Sequence, residues 1–158
     1  MLTRKRYREV PPRVDYELTD RARELMPVLG ALARWGYEWT WSEPRGSESV
    51  DIGAIFRLAP GLITPSEPTR TLEFAVSDAG AVYTITIGAD GVELAEGTAD
   101  SPDVRARGSI AGWIAALSPA HNRDGLEISG DASLLGSVLD TIGPQAPESA
   151  AARDRAAA

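Results

Sequence analysis

Two successive turn signals between residues 72 and 94 constrain this chain more than anything else in it. Leu72, Phe74 and Val76 alternate with polar or small residues, Tyr83, Ile85 and Ile87 do the same, and Ser77-Asp78-Ala79-Gly80 separates the two runs. Alternation at period two gives a strand one buried face, and so short a turn returns the chain antiparallel to itself. Asp90-Gly91 is a second turn dipeptide and leads into Val92 and Leu94. A weaker run holds Val104 and Ala106 between Asp103, Arg105 and Arg107, and residues 126–129 read as a fifth strand. The alternation predicts an antiparallel sheet with one covered face and one wetter one.

Helices must supply the cover. Ser49 is placed to cap a short helix whose Ile52, Ile55 and Phe56 share a face and which Pro60-Gly61 would end. Ser109 is an N-cap for a compact apolar helix over 110–117 containing Trp113. Asp131 caps a helix through Leu134, Leu135, Val138 and Leu139 that Gly143-Pro144 stops. Residues 118–125 form a loop, and residues 144–158, polar and alanine-rich without an apolar face, read as a mobile tail.

The amino-terminal part is different in kind. Residues 5–10 and 13–18 read as two strands bent across Pro11-Pro12, since proline lacks the ladder donor. Thr19 then caps a helix over 20–35 in which Ala22, Leu25, Met26, Leu29, Leu32 and Ala33 recur at helical spacing. Pro27 predicts a kink within it, and Gly36 its stop. The turn-rich, apolar-poor stretch over 40–49 marks a linker, which divides the chain into residues 1–39, a linker, a second domain over 50–143 and the tail over 144–158.

Charge divides the 158 residues in the same way. Sixteen basic against 23 acidic residues give −7, unsuited to wrapping a polyanion as a whole. Residues 1–14 nevertheless carry Arg4, Lys5, Arg6, Arg8 and Arg13 against the single Glu9, whereas residues 39–158 hold 8 basic and 17 acidic residues. Five cations on a two-strand projection suit contacts to nucleic-acid phosphate; a solvated, charged edge strand would have the same composition. No window approaches the roughly 18 to 20 apolar residues of a membrane span, so the expected location is the cytoplasm, with no membrane contact.

Catalytic chemistry finds few footholds. Without cysteine there is neither a thiol nucleophile nor a thiolate metal site, and the single histidine, His121, lies in a loop with no serine in a nucleophile context. Glu93, Glu96, Asp100 and Asp103 are read first as a solvated sheet edge, and only remotely as an acid/base pair or cation site. Gly88-Ala89-Asp90-Gly91 precedes a strand, so its glycines serve a hairpin and not a phosphate cradle. No catalytic residue, metal site or cofactor is expected, and the chain reads as a non-enzyme.

Residues 2–36 carry a more specific pattern. Tyr7, Glu9, Val10, Pro11, Pro12, Arg13, Val14, Tyr16, Leu18 and Thr19, followed by Leu25, Pro27, Val28, Leu29, Trp35 and Gly36, resemble the end of the HxlR family of bacterial winged-helix regulators. The resemblance implies that the basic hairpin is the wing, with Arg4, Lys5, Arg6, Arg8 and Arg13 as DNA-contacting residues, and that a homodimer forms. Family members carry the recognition helix before the wing. This polypeptide alone is therefore not expected to read a DNA sequence, and DNA is a partner only if a helix-turn-helix is present in the full-length product.

Residues 50–143 resemble, more loosely, the sterol-carrier-protein fold, through the order of elements together with Asp90-Gly91, Gly130-Asp131 and Trp113. The resemblance implies an α+β chain: a winged-helix remnant of hairpin and helix, then a five-stranded, mainly antiparallel sheet with helices on one face. It also implies an apolar pocket for a hydrophobic small molecule, with Phe56, Leu72, Phe74, Tyr83, Ile85 and Trp113 as walls. Those side chains would serve equally as a filled core. The expected function is a ligand-responsive transcriptional regulator; the alternative is a stand-alone binder of lipids or other hydrophobic molecules without a DNA role.

Overall fold

A computed structural model describes residues 2–6, 14–40, 42–46 and 48–143. Among them, β1 (Leu2–Arg6) and β2 (Val14–Leu18) form an antiparallel ribbon, with Leu2 opposite Leu18 and Arg6 opposite Val14. The first strand thus begins three residues earlier than the sequence predicts. The expected turn at Pro11-Pro12, strand residues 7–10 and the tail over 144–158 lie outside the described residues.

The expected kinked helix is two helices, α1 (Asp20–Arg23) and α2 (Met26–Thr40). Thr19 caps the first, its Oγ1 accepting from the Ala22 N–H at 3.3 Å. The chain breaks at Glu24 and Leu25, so that Pro27 occupies the first turn of α2, where the missing N–H costs nothing. Gly36 does not stop α2, which runs on to Thr40. A single mid-helix glycine costs only about 1 kcal/mol relative to alanine, too little to end a helix already seated against the protein.

The second part starts with α3 (Ile52–Phe56) and α4 (Ala59–Leu62). Asp51, not Ser49, is the cap of α3: its Oδ1 accepts from the Ala54 N–H at 3.1 Å. Pro60-Gly61 does not terminate α3 but lies within α4, with the proline in its first turn.

Five strands follow: β3 (Arg70–Val76), β4 (Ala81–Gly88), β5 (Gly91–Glu96), β6 (Val104–Gly108) and β7 (Leu126–Gly130). Their order in the sheet is β5-β4-β3-β6-β7. The hairpins fall where the turn residues put them, with Gly80 at φ 60° closing the first. One pairing departs from the expectation: β6 lies beside β3 in parallel, Leu72 opposite Val104 and Phe74 opposite Ala106. After β5 the chain crosses back to the free edge of β3, and alternation reports which face a residue occupies, not the direction of its strand.

Asp103 fixes this crossover. Its carboxylate accepts from the Thr71 N–H at 2.7 Å and from Arg70 Nη1 at 3.0 Å, its own N–H donates to the Thr71 carbonyl at 2.8 Å, and its carbonyl accepts from the Asp131 N–H at 3.0 Å. One residue thereby sets the β3–β6 register and the start of the last helix. Gly130, at φ 96°, lies so close to the Asp103 carbonyl that a Cβ would not fit.

α5 (Ile110–Ala116) and α6 (Ala132–Ile142) pack with α3 on the apolar face of the sheet. Both caps are as expected: Ser109 Oγ accepts from the Gly112 N–H, and Asp131 Oδ1 from the Ser133 and Leu134 N–H groups. The architecture is α+β, with a mixed, mostly antiparallel sheet backed by helices.

The Thr71 N–H and the Arg70 guanidinium hold the Asp103 carboxyl below the ordinary aspartate range. Because the unfolded chain takes up this proton more readily than the folded one, the contribution is present above the ordinary value of about 4 and is lost as pH falls through the folded value. Urea unfolding of Asp103→Asn across pH 2 to 7 should show lower stability at neutral pH and a flatter acid limb than the parent. Parallel curves would contradict this role.

Candidate functional site

The six residues named as ligand walls come together. Phe56 of α3, Leu72 and Phe74 of β3, Tyr83 and Ile85 of β4 and Trp113 of α5 are all buried in one apolar cluster. The Phe56 ring is its centre, 4.9 Å from Phe74, 5.0 Å from Trp113 and 5.5 Å from Tyr83, all tilted or edge-on. Such geometry satisfies the ring quadrupoles and leaves the rings in mutual contact. Trp113 is anchored further, its indole Nε1–H donating to the Ala75 carbonyl at 3.0 Å.

At the edge of this cluster lies a half-open cleft of about 870 Å³. Its floor is apolar, built from Met26 and Pro27 at the start of α2, Leu58 and Pro60 at the α3–α4 join, and Val92 and Leu94 on β5. Glu24, Arg57 and Glu93 complete its lining. The Arg57 guanidinium donates to Glu96 at 2.6 Å, lies 3.9 Å from Asp51 and stands 5.5 Å from the Tyr83 ring centroid. Its hydrogen bond to Glu96 raises the Arg57 pKa above its ordinary value, so the group stays charged and neutralised in place. No signal in the sequence marks this cleft, because its walls come from three segments whose proximity depends on the fold.

The cleft reaches α2 because α2 is seated on α4. A Cβ on Gly30 would strike the Gly61 backbone, and one on Gly61 would strike the Met26 carbonyl. Arg34 adds a hydrogen bond from Nη2 to the Leu62 carbonyl at 3.4 Å. The opposite side of α2 is bare: Val28, Leu29, Leu32 and Trp35, with Leu25 just before the helix, form an apolar stripe, each between 45% and 63% exposed. Contiguous exposed apolar surface of this kind marks an interaction site more often than scattered residues do.

Of the five expected DNA-contacting cations, Arg4, Lys5 and Arg6 fall on β1, while Arg8 and Arg13 lie outside the described residues. The register puts positions 4 and 6 on one face of the ribbon and position 5 on the other. His121 is less solvated than a loop histidine is expected to be: its side chain is 24% exposed and its Nδ1 is 3.1 Å from Asp140 Oδ1. Arg123 pairs with the same carboxylate and donates to the Gly136 carbonyl, which ties the loop before β7 to α6. Glu96 and Asp103 are engaged by Arg57 and Arg70. Among the described residues no group of three or more His, Cys, Asp or Glu is placed to hold a metal ion, and no helix is long and apolar enough to cross a membrane.

Residues 1–44 match the HxlR-like helix-turn-helix family. Over 36 residues the chain is 50% identical to an uncharacterized HTH-type transcriptional regulator of Halalkalibacterium halodurans, covering 23% of this chain and 32% of the other. Over 43 residues it is 46% identical to another from Synechocystis, covering 27% and 32%. The chain thus spans about a third of the length of these curated relatives.

Among solved structures, the stereoselective inverting sec-alkylsulfatase Pisa1 of Pseudomonas aligns with 63% of this chain and 17% of its own at a TM-score of 0.51 and 13% identity, a likeness of fold alone. The solution structure of palmitated SCP2L2 from Aedes aegypti aligns with 59% of this chain and 95% of its own at a TM-score of 0.42 and 19% identity.

Truncating the central ring tests how tightly the cluster is filled. Phe56→Ala should lower the unfolding free energy by about 3 to 5 kcal/mol in urea denaturation, the cost of a large-to-small change in a packed core. A loss below about 1 kcal/mol would show a loosely filled interior instead.

Proposed function

We propose that this protein is the wing and effector portion of a ligand-responsive transcriptional regulator of the HxlR type. The observation that carries the reading is the seating of α2, which lies within the HxlR-like residues 1–44, directly on α4 of the sheet domain. A change in the sheet domain on binding a guest would move α2, and with it the basic ribbon that precedes it.

Arg4, Lys5, Arg6, Arg8 and Arg13 would contact DNA phosphates, and sequence would be read by a helix-turn-helix in the full-length product. The cluster of Phe56, Leu72, Phe74, Tyr83, Ile85 and Trp113 would form the apolar wall that a hydrophobic effector meets. The effector would act as a population shift, binding one arrangement of α2 more tightly than the other. The bare stripe from Leu25 to Trp35 supports a homodimer in which two copies present their wings to paired half-sites.

The longest in-frame product of the gene, titrated with DNA from its own upstream region in a fluorescence anisotropy assay, should bind more weakly as salt rises. Replacing Arg4, Arg6, Arg8 and Arg13 with alanine should lower the slope of log affinity against log salt by up to about 3.6, because each neutralised phosphate adds roughly 0.9 to it. Absent binding, or binding indifferent to salt and to these substitutions, would favour a hydrophobic-ligand binder with no DNA role.

A further inference from the structure

The cleft at the junction of α2, α4 and β5 is apolar where a guest would sit. Val92 and Leu94 stand opposite Ile87 and Ile85 of β4, on the helix-covered face of the sheet, and line the cleft together with Met26, Pro27, Leu58 and Pro60. Glu93 stands opposite Thr86 and so faces the other side of the sheet. Arg57 is engaged by Glu96 and lies near Asp51, so its charge is already paired. That leaves Glu24, a single exposed carboxylate. One exposed ion pair contributes little, less than desolvating a charge over an apolar floor costs. The lining is therefore built for a charge of neither sign. Its volume of about 870 Å³ lies in the range of small-molecule sites, roughly 300 to 1,000 Å³.

We infer that this cleft binds an uncharged, largely apolar small molecule between the first turn of α2 and the helix-covered side of β5. The inference rests on the ligand-responsive reading above and names the guest's class and place. β5 is an edge strand, bonded within its sheet only to β4, so alternate main-chain N–H and C=O groups face out of the sheet and can orient a hydroxyl or amide on the guest. The site lies outside the ring cluster, so binding does not require opening the core. It also spans the joint: Met26 and Pro27 begin α2, and the Met26 carbonyl is the group against which Gly61 rests. A guest wedged between Pro27 and Leu94 would bear on the first turn of α2.

N-phenyl-1-naphthylamine, an uncharged ring system whose fluorescence rises in apolar surroundings, serves as the probe for the intact chain. Its anionic counterpart, 8-anilino-1-naphthalenesulfonate, carries the same rings with one sulfonate added. The probe should bind at micromolar concentration, and the sulfonate should displace it only at about ten or more times its own concentration. Met26→Glu puts a carboxylate on the floor at a helix start that favours negative charge, so the melting temperature should stay within a few degrees while affinity for the probe falls at least about tenfold. Leu94→Arg should weaken binding as much from the β5 side. If that variant fails to fold, Met26→Glu decides alone.

Absence of probe binding, or displacement by the sulfonate at equal concentration, overturns the inference. Probe binding indifferent to both substitutions also overturns it, placing the guest elsewhere, yet leaves the ligand-responsive reading standing. Failure of that reading shows separately, as DNA binding by the full-length product that no ligand alters.

Discussion

Two glycines set how the parts of this protein meet. Gly30 on α2 and Gly61 on α4 bring their backbones so close that neither position has room for a Cβ, and the Met26 carbonyl at the start of α2 lies against Gly61. Contact at this range, rather than an interlock of long side chains, fixes spacing and angle together, because backbone cannot rotate out of the way. The helices over the sheet thus touch α2 at its amino-terminal end, backbone against backbone. The junction cleft exists for the same reason: its walls from α2 and from β5 face each other only while α2 sits on α4.

Beneath the joint, the sheet domain is held by a few polar contacts and one ring cluster. Asp103 ties β3, β6 and the start of α6 through four hydrogen bonds, and the caps at Ser109 and Asp131 start the two helices that close the apolar face. The Phe56 cluster then fills the space between sheet and helices.

Much of this was legible in the residues. The hairpins around Ser77–Ala79 and Asp90-Gly91 and the caps at Thr19, Ser109 and Asp131 follow from local patterning, where a turn or a cap has one physical reading, whereas the convergence of Phe56, Phe74, Tyr83 and Trp113 was expected only from the resemblance to the sterol-carrier-protein fold. The parallel seating of β6 was not legible, because alternation does not encode strand direction. Nor was the persistence of α2 past Gly36, where packing on α4 outweighs a weak local preference. The cleft was least visible of all. Its lining includes Arg57, held by Glu96 39 residues away, and is assembled across a helix–helix contact made by glycines that no local pattern pairs.

Native-state hydrogen exchange of the intact chain tests the joint directly. If α2 is held by its glycine contact, its amides over 26–40 are protected in the parent, and Gly61→Ala raises their exchange toward the unprotected rate while β3, β4 and β6 keep theirs. Amides of α2 that exchange equally fast in parent and variant would show that the helix does not rest on α4, and the route we propose from a guest to the basic ribbon would be gone.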